Sequence, residues 1–481
     1  MAKKHSGDRM PPHDPPHDKE QQQARRALDR LKTGSLERNI ALTKLGFGAG
    51  SSIVAHSIRN IFRGEIDRDS ANHDFYKRQA QVLADELGQL KGSVMKAGQM
   101  LSLYGQYFLP AEAVEVLATL QDDTPAVGWK YVAPVLDREL GADRLGELEI
   151  DTQPIAAASL GQAHRARRKS DGLELVIKVQ YPGVADAIDS DIRTLSRLLV
   201  MSRLTPKGFD ITPIFAELRE MLYQEVDYGI ERRFTEDFAR RLAGDDRYVV
   251  PQVLERYSTA RILTTSYESG VSARHASVGA LPQERRDRLG SAFLDLFLTE
   301  FFGWGMVQTD PHFGNYRIRI EADGQDRIVL LDFGATRRFE RRFVDPYTRI
   351  LRGALDREPG RIERGAMQIG LMQEGFPRNV HEAFAAMCET IVEPFTDPAE
   401  GRVPARLLTP AQTYRWGASD LPMRVTQLGA RNALSRYFRV PPREIVFLHR
   451  RLAGVFVMLA QLQAQIAARG PLLRAIDGLG L

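Results

Sequence analysis

The spacing of apolar positions divides the chain into helical and strand-like stretches. Helical periodicity covers residues 74–131, and strand character follows over residues 154–184. In that second stretch apolar residues occupy every second position, as on a half-buried strand: Leu173, Leu175, Ile177 and Val179. Helical patterning returns over residues 185–242, and after a shorter β segment at 249–267 the chain is mainly helical to its end.

One hairpin interrupts the helical second half. Residues 316–320 and 327–331 have strand character, and the turn Ala322-Asp323-Gly324 lies between them. Asp310 and Asn315, five positions apart, precede the hairpin, and Asp332-Phe333-Gly334 follows it. An Asp-x-x-x-x-Asn element, a hairpin and Asp-Phe-Gly form the catalytic and magnesium loops of kinases. We therefore assign Asp310 to orient or deprotonate the attacking group, and Asn315 and Asp332 to bind Mg²⁺.

The alternating strand carries a lysine on its other face. Lys178 points away from Leu175, Ile177 and Val179, so it can leave the apolar layer and meet the phosphates of ATP. Such a lysine needs a carboxylate partner to hold its head group. We assign Glu231, from the segment Glu225-Val226-Asp227-Tyr228-Gly229-Ile230-Glu231.

The three acidic residues of that segment cannot all face one site from a straight helix. Asp227 and Glu231 are four positions apart and share a helix face, whereas Glu225 lies off it. Either Gly229 bends the helix, or Glu225 and Asp227 serve a different contact.

An alanine-rich segment stands where a glycine-rich phosphate loop is expected. Just before the lysine strand the chain reads Ala156-Ala157-Ala158-Ser159. Alanine disfavours the positive φ angles that glycine adopts freely, so we expect a stiffer loop that holds phosphates differently.

These patterns predict an α+β, bilobal, protein-kinase-like fold with a helical N-terminal extension and a mainly helical C-lobe. We divide the chain into a disordered tail (1–35), the extension (36–130), a kinase-like N-lobe (131–270) and the C-lobe with the hairpin (271–481).

Composition bears on nucleic-acid binding, redox compartment and membrane association. The 481 residues are 43% hydrophobic and 27% charged with a formal charge of +4, and no base-reading motif accompanies them, so we expect no nucleic-acid partner. The lone Cys388 fits a reducing compartment and a buried helical position. No uncharged apolar stretch reaches the roughly 20 residues that span a bilayer, and no signal peptide is recognisable. We expect a cytoplasmic protein, peripheral on the inner membrane if it meets one.

Two alternatives remain open for residues 36–62. Their apolar face and basic end suit a helix packed on the body of the protein and equally suit an amphipathic helix that faces a membrane.

Taken together, the motifs resemble the UbiB family of aarF-domain atypical kinases, which includes mitochondrial coenzyme-Q proteins. Lys96-Ala97-Gly98-Gln99 matches the family's Lys-x-Gly-Gln motif, preceded by Leu90-Lys91-Gly92. The alanine-rich loop and Glu225-x-Asp227 match as well, and Gln308-Thr309-Asp310-Pro311 is closest to the coenzyme-Q subgroup.

The resemblance implies an ATP-binding, Mg²⁺-dependent protein that supports ubiquinone biosynthesis, with ATPase activity linked to lipid or membrane contact. Its expected partners are an isoprenoid quinone precursor or membrane lipid, and proteins of quinone biosynthesis. It further implies that Lys96 and Gln99 reach toward the nucleotide and that Glu225 and Asp227 help dock the extension.

Three other functions compete with this one. A nucleotide-binding scaffold would not need to keep Asp310. A conventional protein kinase is disfavoured because no Ala-Pro-Glu follows Gly334 and little room remains for an activation loop. A small-molecule phosphotransferase shares the Asp/Asn/Asp pattern but would not explain Lys96 and Gln99.

Overall fold

The computed structural model describes residues 77–78, 81, 93–105, 109–118, 126–201, 204, 210–433 and 441–479. The predictions for residues 1–62 and for Leu90-Lys91-Gly92 lie outside these ranges. The described part of the extension forms helices α1 (Ser93–Gly105) and α2 (Ala111–Ala118). The Ser93 hydroxyl donates to the buried carboxylate of Asp191, which fixes the start of α1 to the body of the protein.

A four-stranded antiparallel sheet forms the N-terminal lobe. Its strands lie in the order β1-β2-β3-β5. They are β1 (Leu148–Ala157), β2 (Gly161–Arg168), β3 (Glu174–Gln180) and β5 (Ile262–Ser266), with the short β4 (Tyr248–Val249) elsewhere. The predicted alternation on β3 is confirmed, because Leu175, Ile177 and Val179 are fully buried and Lys178 is not.

The helix before the sheet is longer than predicted. Helix α3 covers Trp129–Gly146 with a kink at Gly141, whose φ of +75° suits glycine. It buries Val132, Val135, Leu136 and Leu140 against the apolar face of β3. Helical structure therefore extends past residue 131, where the helical pattern was predicted to end, and strand structure begins at Leu148 rather than Pro154.

Three helices replace the helical stretch predicted over residues 185–242. They are α4 (Val184–Met201), α5 (Thr212–Glu225) and α6 (Tyr228–Arg241). The chain breaks at Val226 and Asp227, where the Asp227 side chain accepts a hydrogen bond from the Gly229 backbone and caps α6. The predicted sharing of one helix face by Asp227 and Glu231 is wrong for this reason, and Gly229 is not the bend.

The C-terminal lobe is helical around small sheets. Its helices are α7 (Ala276–Gly279), α8 (Gln283–Leu298), α9 (Arg341–Asp356), α10 (Pro359–Gln368), α11 (Arg378–Ile391), α12 (Leu421–Ala433), α13 (Arg443–Gln461) and α14 (Arg469–Asp477). Its strands are β6 (Met306–Gln308), β7 (Tyr316–Arg319), β8 (Arg327–Leu330), β9 (Thr336–Arg338), β10 (Tyr414–Arg415) and β11 (Gln465–Ile466). A π-helical turn, Thr299–Gly303, extends α8.

The predicted hairpin is confirmed. Strands β7 and β8 pair antiparallel, with Tyr316 opposite Leu330, and β4 adds to β8 in parallel. Cys388 is buried in α11 as expected, and burial raises the pKa of its thiol to about 12. Among the described residues, no helix has the length and apolarity needed to cross a membrane. The division of the chain into four segments stays a prediction.

Candidate functional site

The structure brings Lys178 between two carboxylates. Its Nζ lies 2.8 Å from each carboxylate oxygen of Glu231 and 3.0 Å from Oδ2 of Asp332. Burial disfavours the charge on this lysine, but the two carboxylates outweigh burial and hold its pKa well above the ordinary value. The alternation of β3 therefore places the Lys178 cation at Asp332, just after the β7–β8 hairpin.

Glu231 comes from the first turn of α6, which begins at the Asp227 cap. Burial and the nearby Asp332 raise its pKa to about 7, against the attraction of Lys178. One ammonium group cannot fully neutralise two carboxylates, so the pKa of the more buried acid, Glu231, rises.

The hairpin gathers the remaining predicted residues. Asp310 follows β6, and Asn315 ends a 3₁₀ turn just before β7. The Leu331 backbone N–H donates to the Asn315 carbonyl at 2.9 Å, which places Asn315 beside Asp332. The Asn315 amide nitrogen donates to the Asp310 carboxylate at 3.0 Å.

This donor set fits Mg²⁺. The Asp332 carboxylate, which accepts from the Gly334 backbone N–H at 2.9 Å, would supply one hard oxygen ligand. Because the Asn315 amide nitrogen donates to Asp310, its amide oxygen would be available as a second ligand. No group of three or more His, Cys, Asp or Glu suited to a metal occurs in the described part of the chain. Magnesium needs no such cage, since one or two carboxylates, waters and substrate phosphates suffice.

Asp310 is flanked by two cations from distant parts of the chain. Nη2 of Arg450 lies 2.7 Å from Oδ1 of Asp310, and Lys96 of α1 is close enough to act on it. Burial disfavours the Asp310 carboxylate, yet Arg450 and Lys96 outweigh burial and hold its pKa below the ordinary value. The geometry therefore keeps Asp310 ionised, which suits orientation of a nucleophile more than strong basicity.

The extension reaches this region through α1. Lys96 forms a 2.5 Å ion pair with Glu225, the last residue of α5. Gln99 lies one turn further along α1 and is half-buried. The Asp227 side chain accepts from the Gly229 N–H, and among the described residues only Glu225 of the expected pair has a contact with the extension.

The alanine-rich segment is a tight hairpin rather than an open loop. Ala156 pairs with Ala163 and Ala157 with Gln162, and the Ala158 N–H donates to the Gly161 carbonyl at 2.8 Å. Ala156 and Ala157 thus lie in β1, not in a loop as predicted. Ser159 is buried in the turn. No residue from Ala156 to Gly161 has a positive φ, in keeping with the alanines.

Gly161 is required by a close approach. A Cβ on it would lie 2.5 Å from both the Tyr228 hydroxyl and the Val179 carbonyl. Tyr228 begins α6, and its ring is 5.1 Å from Nζ of Lys178. The turn of this hairpin therefore sits directly against the helix that carries Glu231.

Sequence reasoning missed the contribution of α13. Arg451 on this helix is fully buried, donates to the Tyr316 hydroxyl at 2.6 Å and pairs with Glu300 at 3.3 Å. Tyr316 donates in turn to Gln308, whose side-chain amide lies 3.4 Å from the Asp332 carbonyl. The signal was present as Arg450-Arg451 inside an otherwise apolar helix.

The segment after Asp332 is short and is held in place by contacts of Phe333 and Thr336. Phe333 packs against Phe238 of α6 with ring centroids 4.7 Å apart. Thr336 pairs with Gln308 across β6 and β9, and α9 begins at Arg341. This leaves no platform of the kind that positions peptide substrates in protein kinases.

Sequence comparisons identify a family and relatives to which this chain is similar. Residues 119–365 match the family model described as ABC1 atypical kinase-like domain. The chain is 30% identical to "Atypical kinase COQ8B, mitochondrial" of Rattus norvegicus, over 88% of this chain and 76% of that protein. It is also 30% identical to "Atypical kinase COQ8, mitochondrial" of Schizosaccharomyces pombe, over 84% of this chain but only 63% of the relative's length.

A solved structure supports the fold. A Mycobacterium tuberculosis protein determined in complex with erythromycin aligns with a TM-score of 0.55 at 24% identity, covering 86% of this chain and all of that one. The likeness confirms the predicted kinase-like architecture and says nothing about ligands of this chain.

Proposed function

The chain belongs to the ABC1 atypical kinase-like family, and on that premise we propose that it binds ATP with Mg²⁺ and cleaves the terminal phosphate in support of ubiquinone biosynthesis. The observation that carries the proposal is the position of Lys178, held between Glu231 and Asp332 at the end of the catalytic hairpin. The three residues match the lysine, helix acid and magnesium-binding acid of phosphoryl-transfer sites.

We assign each residue a part in this reaction. Lys178 would bind the inner phosphates, oriented by Glu231, and the alanine-rich hairpin Ala156–Ser159 would cover them. Asn315 and Asp332 would hold Mg²⁺, which supplies charge neutralisation on the phosphates. Asp310, kept ionised by Arg450, would orient the attacking oxygen.

Water or a small molecule is the acceptor we favour over a protein. Asp310 is flanked by Arg450 and by Lys96 of the extension, and the short segment after Gly334 provides no peptide platform. In our proposal Lys96 and Gln99 face the nucleotide side of the extension, and Glu225 docks it.

The test compares ATP hydrolysis by the wild type and Asp332→Asn, with and without liposomes and a quinone-precursor mimic. We expect turnover in the wild type, stimulated by the lipid or precursor, and none in the variant. Phosphorylation of a purified protein partner that Asp332→Asn abolishes would replace this proposal with a protein kinase. Nucleotide binding without any turnover would favour the scaffold, in which the chain organises quinone-biosynthesis proteins.

Membrane contact is the second part of the proposal, and it rests on the amphipathic pattern of residues 36–62, which lie outside the described ranges. Deleting them should weaken pelleting with liposomes while leaving nucleotide affinity unchanged. Equal pelleting of both forms would assign these residues to an ordinary packed helix.

A further inference from the structure

A cavity of about 270 Å³ in the C-terminal lobe is lined by arginines. It lies between α9 and α10 and is bounded by Thr348, Arg349, Arg352, Arg361 and Arg364. None of these residues belongs to the candidate ATP site. The two helices form an α-helical hairpin whose connection passes through Arg357 at a φ of +56°.

Glycines explain why the arginines converge. A Cβ on Gly365 would lie 2.6 Å from the Pro346 carbonyl, and one on Gly353 would lie 2.8 Å from the Ile362 nitrogen. The backbones of α9 and α10 are therefore nearly in contact. The arginines of each helix are three residues apart, so they share a face and extend over the same crevice.

The positive charge in this cavity is only partly neutralised. Arg352 pairs with Asp477 of α14, and Arg361 pairs with Asp356 at 3.3 Å and with Glu358 at 3.9 Å. Arg349 instead donates to the neutral amide of Gln368.

Arg364 adds charge without an acid. Within the described ranges, neither Arg349 nor Arg364 has a carboxylate partner. The Nε of Arg352 is moreover buried with no acceptor. A buried donor left unpaired costs free energy, and like charges held close together repel each other.

We propose that this arginine cavity binds a phosphate-type oxyanion. Guanidinium groups donate paired hydrogen bonds to phosphate oxygens, and an oxyanion here would neutralise Arg349 and Arg364. The volume is below that of pockets for drug-sized ligands, so it suits a phosphate or the phosphate head of a larger ester. That phosphate is either free or carried by a lipid, and the experiment separates the two.

The experiment uses the full chain and the variant Arg349→Gln/Arg364→Gln, which removes the two charges that have no acidic partner. The control, Arg342→Gln/Arg378→Gln, removes equal charge from side chains that are 83% and 92% exposed. Inorganic phosphate and pyrophosphate are titrated by calorimetry at constant ionic strength. Vesicles of phosphatidylcholine with and without phosphatidylglycerol are co-sedimented with each protein.

We expect the wild type and control to bind phosphate with equal affinity and Arg349→Gln/Arg364→Gln to bind it about tenfold more weakly or worse. If Arg349→Gln/Arg364→Gln also sediments less with the anionic vesicles than the wild type does, the bound phosphate belongs to a lipid head group. If its sedimentation is unchanged, the ligand is a free phosphate. Arg349→Lys/Arg364→Lys, which keeps charge but loses the paired donors, should fall between. Circular dichroism checks that every variant is folded.

Equal phosphate affinities in the wild type and Arg349→Gln/Arg364→Gln overturn the proposal, as does the absence of saturable binding to the wild type. Lys178→Met separates this site from the nucleotide site. If Lys178→Met alone abolishes phosphate binding, the phosphate occupies the nucleotide site and the arginine cavity is excluded. If ATP fails to bind to any form while phosphate still binds through the arginines, the proposed function fails and this proposal stands.

Discussion

Gly454 of α13 lies directly against the catalytic loop, and replacing it with alanine tests how tightly that helix controls the site. A Cβ at this position would overlap Cβ of Pro311 and lie 2.9 Å from its Cγ and 3.3 Å from its Cα. Pro311 follows Asp310, so α13 and the catalytic loop must separate by roughly 1.5–2 Å to reach an ordinary carbon–carbon contact. Overpacking of this kind costs about 1–3 kcal/mol of stability.

Gly454→Ala should slow ATP turnover even where the protein remains folded. Because Arg450 on the same helix holds Asp310 at 2.7 Å, the shift acts on both partners of that ion pair. A displacement of about 1 Å can cost on the order of 100-fold in rate. We therefore expect Gly454→Ala to lose about 100-fold in ATP turnover at a temperature where the protein remains folded.

The assay combines urea denaturation with steady-state ATP hydrolysis. Gly279→Ala is the matched control, since a Cβ there would meet nothing within 4 Å. It should leave both quantities nearly unchanged. Turnover of Gly454→Ala within twofold of the wild type would show that α13 does not set the position of Asp310.

Three further predictions concern the site itself. The pKa of Glu231 is about 7 in the folded protein against an ordinary 4.5, so folding favours its protonated form. The wild type should therefore lose up to about 3 kcal/mol of unfolding free energy, relative to Glu231→Gln, as the pH rises from 4.5 past 7. Urea denaturation of both proteins across this pH range measures the difference. Parallel curves would contradict this. Arg450→Met should raise the pKa of Asp310, shift the acidic limb of the pH–rate profile upward and lower turnover, whereas Arg443→Met on the same helix should not. Ala158→Gly should loosen the alanine-rich turn and change nucleotide affinity, and unchanged ATP and ADP affinities would refute this.

Local patterns in the sequence were enough to predict the elements of the catalytic hairpin. Alternation identified the buried face of β3 and with it the direction of Lys178, and the spacing of Asp310, Asn315 and Asp332 identified the loops. These features depend on residues near one another in the chain, and the structure brings Lys178, Glu231 and Asp332 within 3.0 Å contacts. Their roles in catalysis stay a prediction.

Other features depend on residues far apart, which periodicity does not reveal. Whether Asp227 continues a helix or caps the next one is decided by its side-chain bond to Gly229, and Asp is compatible with both. The pairing of Arg450 with Asp310 spans 140 positions, and a single sequence carries no record of that contact. An arginine in an apolar helix indicates only that some buried acceptor exists.

The short connection between Asp332 and α9 has a consequence for control of the protein. In many kinases a hydroxyl in this connection is phosphorylated, and the new charge orders a flexible loop. Here Thr336 is the only hydroxyl-bearing residue between Asp332 and Arg341, and it is fully buried in the pairing of β6 with β9. A modifying enzyme could reach it only if that pairing opened. Phosphorylation of this segment therefore requires the pairing of β6 with β9 to open, and control without that opening must act through other surfaces of the molecule.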